Sequence, residues 1–135
     1  MINNKNQLKN KLKENKNNII IKRIYNLDKT NKIPEGETAT VEKVQSNAFT
    51  IRYKSLDREV WIYYDNIEIK DNKIYYYSYI DDFNTEKVKQ AEEEAKKRNI
   101  ELIPVNTDDK INKNLQSNYK YIYKYIVIIN EIIEK

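Results

Sequence analysis

The middle of the chain alternates hydrophobic and polar residues with the period of two that is typical of half-buried β-strands. Turn-forming residues separate the stretches that follow this pattern. We therefore predict strands over residues 38–44, 48–54, 59–64, 67–70 and 73–79, preceded by a β-branched strand over residues 19–25. Because the connections are of hairpin length, these strands are expected to form a small, curved antiparallel sheet.

Two helical patterns flank this region. Leu8 and Leu12 stand four residues apart among lysines, so residues 1–18 are predicted to be a basic Lys- and Asn-rich arm or a short helix. Residues 86–98 consist almost wholly of helix-forming residues and follow Asn84, a suitable N-cap. We expect this second helix to cover the sheet.

The C-terminal segment fits two patterns. Large apolar residues recur at steps of three and four from residue 111 to residue 133, which favours a helix over residues 108–135. Tyrosines at every second position from Tyr119 to Tyr125 fit one face of a strand instead. The helical spacing runs further, so we expect a long C-terminal helix. A second stripe on that helix is then a predicted interface, including one for a second copy of the chain, formed by Tyr121, Tyr125, Ile128 and Ile132.

Together these patterns predict an α+β fold in which a small, curved antiparallel sheet carries one covering helix and a long C-terminal helix. The expected organisation is the arm over residues 1–18 followed by a single domain over residues 19–135. Within that domain we expect a β-meander at residues 36–80, a helix and strand at residues 84–105, and the C-terminal helix from residue 108.

The strand pattern over residues 36–70 includes Asp65, Asn66 and Ile67 as a short turn before a strand. In this pattern the meander resembles small SH3-like β-barrels, whose last strand often follows a short turn that looks like these three residues. SH3-like barrels bind proline-rich peptides, modified protein tails, RNA or DNA. The resemblance therefore implies a barrel and a binding role without selecting the partner.

Composition narrows the chemistry. The 135 residues include no His and no Cys, which excludes imidazole bases, thiolate nucleophiles and zinc sites built on these ligands. The single Gly leaves no glycine-rich phosphate loop. Paired carboxylates at Asp81, Asp82, Asp108 and Asp109 precede predicted helices, where Asp is favoured as a cap. We expect a non-catalytic protein without cofactor or metal, with a carboxylate- and Mg²⁺-dependent enzyme as a distant alternative.

Charge is distributed unevenly along the chain. The formal net charge of +4 combines basic ends with an acidic middle. Lys outnumbers Arg 21 to 4, and Asn and Ile occur 19 and 21 times, which is the composition that A- and T-rich codons produce. This bias indicates a low-GC bacterium or its phage or plasmid, and it weakens any argument that the lysines were selected to bind phosphate.

Aromatic and basic residues of the sheet and the arm are the candidate binding site. An exposed row of Tyr and Trp rings beside cations is a stacking platform for single-stranded nucleic acid, and the same residue types dominate protein interfaces. The candidate residues are Lys5, Lys9, Lys11, Lys13, Lys16, Lys22, Arg23, Arg52, Lys54, Arg58, Trp61, Tyr63, Tyr75 and Tyr77.

Two partner classes remain open. The basic ends favour nucleic acid or a nucleoprotein complex, whereas the acidic middle favours a host protein, such as an enzyme that this chain inhibits. No stretch of about 20 apolar residues and no apolar signal segment is present, so we expect a cytoplasmic protein without a membrane partner.

Overall fold

The computed structural model describes residues 1–27, 33–81, 85–104 and 122–135. They fall into two compact units, one formed by residues 1–76 with 127–135 and the other by residues 77–126. The helices are α1 (Lys5–Asn15) and α2 (Thr85–Lys97), with short 3₁₀ turns at Lys16–Asn18 and Tyr64–Asn66. The strands are β1 (Ile19–Asn26), β2 (Thr38–Val44), β3 (Ala48–Tyr53), β4 (Val60–Tyr63), β5 (Ile67–Lys70), β6 (Lys73–Asp81), β7 (Ile103–Pro104) and β8 (Ile122–Glu134).

The first unit is built on a curled antiparallel sheet, as the period-two pattern predicts. Its strand order is β4-β3-β2-β1-β8-β6-β5, so β4 and β5 are the two ends of the sheet. These end strands are nevertheless consecutive in the chain and are joined only by Tyr64–Asn66. Three residues span about 10 Å at most, so the adjoining ends of β4 and β5 lie close together and the sheet curls round.

Helix α1 supplies part of the core that the curled sheet encloses. Its Leu8 and Leu12 are buried in the same hydrophobic cluster as Phe49, Ile51 and Ile62 from the sheet. Asn4 caps the helix by accepting a hydrogen bond from the Gln7 backbone amide at 2.8 Å. The four-residue spacing of the two leucines therefore marks a helix that packs on the sheet of this unit.

The hairpin between β5 and β6 turns through two residues in the left-handed region, Asp71 at φ 52° and Asn72 at φ 60°. This pair of positive φ angles is the signature of a type I′ turn, which Asp and Asn tolerate. The Asn72 side chain accepts a hydrogen bond from the Ile2 amide at 2.6 Å, and the Asn72 carbonyl accepts one from Ile132 at 2.6 Å. The hairpin tip thus ties the N-terminus to β8.

The predicted long C-terminal helix is wrong, and with it the α+β arrangement. Residues 122–134 form strand β8, which pairs along β1 from Ile19 opposite Glu134 to Asn26 opposite Ile128. The near-continuous Ile content of this segment fits both periods, and β-branched side chains favour the strand once β1 pairs with residues 128–134. The described residues form mainly an antiparallel sheet with one short N-terminal helix and a second helix, and residues 108–121 lie outside them.

The second unit contains α2, β7 and the adjoining parts of β6 and β8. Helix α2 ends before Asn99, which adopts a left-handed φ of 56°, a conformation that commonly follows the last turn of a helix. Strand β7 pairs with β8 through Ile103 opposite Lys124. Neither α1 nor α2, the two α-helices of the described residues, is long and apolar enough to cross a membrane.

Candidate partner-binding surface

Trp61 and Tyr63 form an exposed, stacked aromatic pair on β4. Their ring centroids lie 6.1 Å apart with an interplanar angle of 20°. Trp61 is 40% exposed and Tyr63 45% exposed, and of the large hydrophobic residues in the described part of the chain only Met1 shares this exposure. We call these two rings the aromatic pair.

The local sequence explains why the rings point outward. Strand β4 reads Val-Trp-Ile-Tyr, and its Ile62 is buried opposite Phe49 in the core. Alternate side chains of a strand lie on opposite faces, so Trp61 and Tyr63 lie on the outer face of the sheet. Directly across on β3 are Thr50 and Ala48, both small and both fully buried. The aromatic pair therefore stands on a floor of small side chains at the edge of the sheet.

Each cation nearest to the aromatic pair is matched by a carboxylate. Lys43 lies over the Trp61 ring, with its Nζ 5.9 Å from the ring centroid, and its Nζ is also 3.2 Å from Glu59. Arg52 donates from Nε to Glu42 at 2.5 Å and from Nη1 to Asp57 at 3.3 Å. The rim of the surface is thus charged but locally balanced.

The pKa values follow this pairing. The hydrogen bond from Arg52 lowers the pKa of Glu42, an effect that burial opposes and the positive charge of Arg52 reinforces. The same bond to Glu42 raises the pKa of Arg52. Both groups therefore stay ionised at neutral pH, and neither side chain is poised to exchange a proton with a substrate.

Arg23, a predicted site residue, lies in the core instead. It is 2% exposed, and its Nε donates to the side-chain oxygen of Asn130 at 2.9 Å while its Nη2 donates to the Tyr53 hydroxyl at 3.2 Å. Asn130 also donates to the hydroxyls of Tyr53 at 3.2 Å and Tyr76 at 3.3 Å. Burial raises the pKa of Tyr76 far above its ordinary value. These four residues form the inner polar cluster.

The inner polar cluster went unnoticed in the sequence. Asn130 falls within an Ile-rich segment and is fully buried, opposite Arg23 on β1. A single Asn inside an otherwise apolar strand is the signal that would have marked it, because a buried amide needs partners. The Nη1 atom of Arg23 is buried and makes no hydrogen bond to any part of the chain that the structure describes.

Three of the five lysines in residues 1–18 contact other parts of the protein. Lys9 lies over the Tyr64 ring at 4.7 Å, Lys11 is 3.7 Å from Glu134, and Lys16 donates to the Glu42 carbonyl. Lys22 on β1 is directly opposite Glu131 on β8. Lys5 is half-buried and Lys13 exposed, and neither makes an ion pair with a described residue.

The remaining predicted site residues are scattered. Lys54 and Arg58 are exposed, near the aromatic pair in the chain. Tyr75 is half-buried opposite Glu68 on β5, and Tyr77, in the second unit, has Lys124 over its ring at 4.7 Å. The residues predicted from sequence therefore lie in several separate places, and the aromatic pair is the one with exposed large aromatic side chains.

The interface predicted on a C-terminal helix has no helix to carry it. Ile128 and Ile132 are buried on β8, and Tyr125 on the same strand is half-buried. Tyr121 lies outside the described residues. The period of two, not 3.6, decides which of these side chains face the core.

Within the described ranges, no three acidic side chains gather into a group that could hold a metal ion. Of the carboxylate pairs noted in the sequence, Asp81 ends β6 while Asp82, Asp108 and Asp109 lie outside the described residues. Lys43 was not among the site residues predicted from the sequence, although it lies over the Trp61 ring. Period-two alternation across the β2–β3–β4 meander would have placed it near the aromatic pair.

No protein-family model matches this chain, and neither a curated protein nor a solved structure matches it. Its function is therefore argued from the surface just described.

Proposed function

We propose that this protein is a non-catalytic binding protein whose partner is another protein, docked on the aromatic pair. The carrying observation is the stacked, outward-facing arrangement of Trp61 and Tyr63, each at least 40% exposed, on an edge strand. An inhibitor or regulator of a host enzyme is the role that such a small, non-catalytic chain fits best.

The composition of the surface supports this proposal. Trp, Tyr and Arg are the residues that most often dominate the binding energy of protein interfaces, surrounded by polar contacts that exclude water. Here the aromatic pair is the centre and the Lys43–Glu59 and Arg52–Glu42 pairs are the rim. Rigid rings that are already stacked also lose little conformational freedom on binding.

Charge favours a protein partner over nucleic acid. Binding a phosphate backbone requires cations that are free to replace its counterions. Beside the aromatic pair, Lys43 and Arg52 are instead balanced by carboxylates. Arg23 is buried, and Lys9, Lys11 and Lys16 are engaged within the fold.

We also propose that residues 36–70 are SH3-like in the finer sense that their sequence suggests. Strands β2 to β5 follow one another through short turns, and the 3₁₀ turn Tyr64–Asn66 comes directly before β5. A peptide-binding role fits that likeness, although β5 pairs with β6 here.

The test is a binding series with matched variants. Peptides are selected from a random display library on the wild-type protein, and the dissociation constant of the best peptide is measured for Trp61→Ala, Tyr63→Ala and the control Lys54→Ala. We expect each ring substitution to weaken binding about tenfold or more, equivalent to about 1.4 kcal/mol, and the control to have little effect. Raising NaCl from low to physiological concentration should weaken binding far less than the decades expected for a nucleic-acid backbone. Selected peptides that bind the ring variants as well as the wild type would refute the proposal.

A second candidate is single-stranded nucleic acid. Lys54 and Arg58 are exposed near the aromatic pair in the chain, and no described carboxylate forms an ion pair with them. Bases stack on exposed rings at about 1 to 3 kcal/mol each. Oligo-dT and oligo-rU binding that requires Trp61, weakens in Lys54→Ala and falls steeply with salt would favour this candidate over the first.

A further inference from the structure

We propose that the partner docks as an extended, basic segment that adds a strand to the outer edge of β4. This inference rests on the proposed protein-binding function and specifies the occupant and its backbone geometry. The observation behind it is that the edge strand and the aromatic pair are the same four residues, Val60–Tyr63.

The backbone of β4 has a regular pairing on one side only. Among the described strands, β4 is the end of the sheet and has β3 as its single neighbour. The Tyr64 amide donates to the Asn47 carbonyl at 3.1 Å, which fixes the phase of the ladder. In an antiparallel ladder the hydrogen-bonded residues alternate, so Ile62 bonds to β3 while the amides of Trp61 and Tyr63 point the other way. The residues that display the rings therefore also present their amides outward.

This edge has one of the usual protections, its short length. Natural sheets block exposed edges with very short strands, proline, lysine, a bulge or an inward-pointing charge, and β4 has only four residues. The sequence of β4 contains none of these residues, and its pairing with β3 runs without a register shift. An edge free of proline, charge and bulge beside exposed aromatic rings is the geometry that strand-adding peptides use, with backbone bonds for affinity and side-chain pockets for specificity.

One unpaired acidic charge at this edge favours a basic residue in the occupant. Asp65 follows the aromatic pair, whereas Glu59 before it is already paired with Lys43 and lies next to the exposed Arg58 in the chain. Lys43 already lies over Trp61, which places a cation on the ring face. Asp65 is exposed and makes no ion pair with the described residues. Lys or Arg side chains that reach the outer face would thus gain both cation–π contact and an opposite charge.

A second copy of the chain is a poorer occupant. Antiparallel self-pairing of β4 that sets Trp61 opposite Tyr63 also sets Glu59 opposite Asp65 of the other copy. Directly opposed like charges destabilise a strand pair. We therefore infer a different protein, one that carries alternating basic residues in an extended segment.

The first test reads the backbone directly by amide hydrogen exchange. The probe is a heptapeptide of alternating lysine and valine, added in excess to the whole protein. We expect the amides of Trp61 and Tyr63 to become protected, while that of Ile62, already bonded to β3, stays as it was. If the exchange rates of the Trp61 and Tyr63 amides stay unchanged while the peptide is bound, strand addition is overturned.

The second test uses two N-methylated forms of the same heptapeptide, one methylated at the lysines and one at the valines. In an added strand only alternate amides face β4, so one form should lose affinity about tenfold or more and the other should keep it. The form that loses affinity reports whether the added strand is parallel or antiparallel. Equal affinity of both forms, or equal loss in both, would overturn the proposal.

A third arm tests charge and separates this inference from the proposed function. A heptapeptide of alternating glutamate and valine should bind much more weakly than the lysine form, and equal binding would refute the basic occupant. If library-selected peptides need Trp61 and Tyr63 but the N-methylated forms behave alike, the proposed function stands and strand addition fails. If no peptide needs the rings, both fail.

Discussion

A cation lies over an aromatic ring both inside and outside the sheet of the first unit. Inside, the Arg23 guanidinium is 5.5 Å from the Tyr53 ring centroid and bonds to neutral groups. Outside, the Lys43 ammonium is 5.9 Å from the Trp61 ring centroid and pairs with Glu59. Arg23, Tyr53 and Asn130 of the inner polar cluster are buried, whereas both rings of the aromatic pair are exposed.

The difference teaches which properties each place controls. An ion held away from water costs several kcal/mol unless hydrogen bonds compensate it, so the inner polar cluster is sensitive to the loss of any member. Exposed charges in high dielectric contribute little, so the outer contacts can change with small effects on folding. Substitutions inside should therefore change stability, and substitutions outside should change binding.

The largest expected effect is at Asn130. Alanine there removes the acceptor of Arg23 and the donor to Tyr53 and Tyr76, which leaves a buried charge without its amide partner. We expect a loss of about 3 kcal/mol in the free energy of unfolding, measured by urea denaturation. Asn130→Asp is the matched control, because a carboxylate accepts from both Arg23 and the two hydroxyls. A loss below about 1 kcal/mol for alanine, or an equal loss for aspartate, would contradict this role.

The pattern of apolar and polar residues predicts the strand bounds well where one face of the sheet is buried and the other is exposed to solvent. Strands β2 and β5 have their predicted bounds, because β5 alternates throughout, β2 alternates over Thr38–Val41, and both end at turn-forming residues. The sequence predicts either a basic arm or a short helix over residues 1–18, because the spacing of Leu8 and Leu12 alone does not reveal that they are buried against the curled sheet. Local patterns identify such elements, but tertiary contacts decide which of them persist.

The helix prediction for the C-terminal segment is wrong for a specific reason. Its apolar residues are so dense that periods of two and 3.6 are both satisfied, and the choice depends on β1, more than 100 residues earlier in the chain. For a related reason, the sequence identifies only part of the candidate site. Trp61 and Tyr63 follow from alternation, whereas the pairing of nearby cations and the burial of Arg23 depend on neighbouring strands.

Tyr64 sharpens the comparison because it is buried like the inner polar cluster but unpaired. It is 3% exposed, and its hydroxyl makes no hydrogen bond within the described part of the chain. Tyr64→Phe removes this hydroxyl while keeping the ring under Lys9, so we expect a gain of about 1 kcal/mol at pH 7 in thermal or urea unfolding. A clear loss of stability would indicate a partner for the hydroxyl.

The same residue predicts alkaline behaviour. Burial raises the pKa of Tyr64 to about 12, whereas a tyrosine in the unfolded chain titrates near about 10. The raised pKa means that stability is fully present below about pH 10 and is lost as pH rises through about 12. Unfolding free energies measured from pH 8 to pH 11 should therefore fall less steeply above pH 10 in Tyr64→Phe than in the wild type. Identical slopes would show that Tyr64 does not titrate differently on folding.

A smaller effect on stability is expected for the aromatic pair. Trp61→Ala removes a ring that is 40% exposed, so we expect a loss of about 0.5 kcal/mol in unfolding free energy together with the loss of peptide binding. The neighbouring Ile62→Ala is the control, because its buried side chain should cost about 3 kcal/mol. A loss of unfolding free energy in Trp61→Ala as large as that in Ile62→Ala would show that the ring stabilises the fold.

The smallest effect is expected at the outer cation. Lys43→Met retains the aliphatic stem beside Trp61 and removes only the charge that pairs with Glu59 at 3.2 Å. Exposed pairs of this kind contribute about 0.2 to 1 kcal/mol, so unfolding should change by a few tenths of a kcal/mol. Removing Lys43 also leaves Glu59 unpaired beside the exposed face of Trp61. A basic heptapeptide should then bind Lys43→Met more tightly than the wild type, measured by the intrinsic fluorescence of Trp61, the chain's single tryptophan. Weaker binding would mean that Lys43 itself contacts the partner, instead of occupying the position over Trp61 that a basic residue of the partner would take.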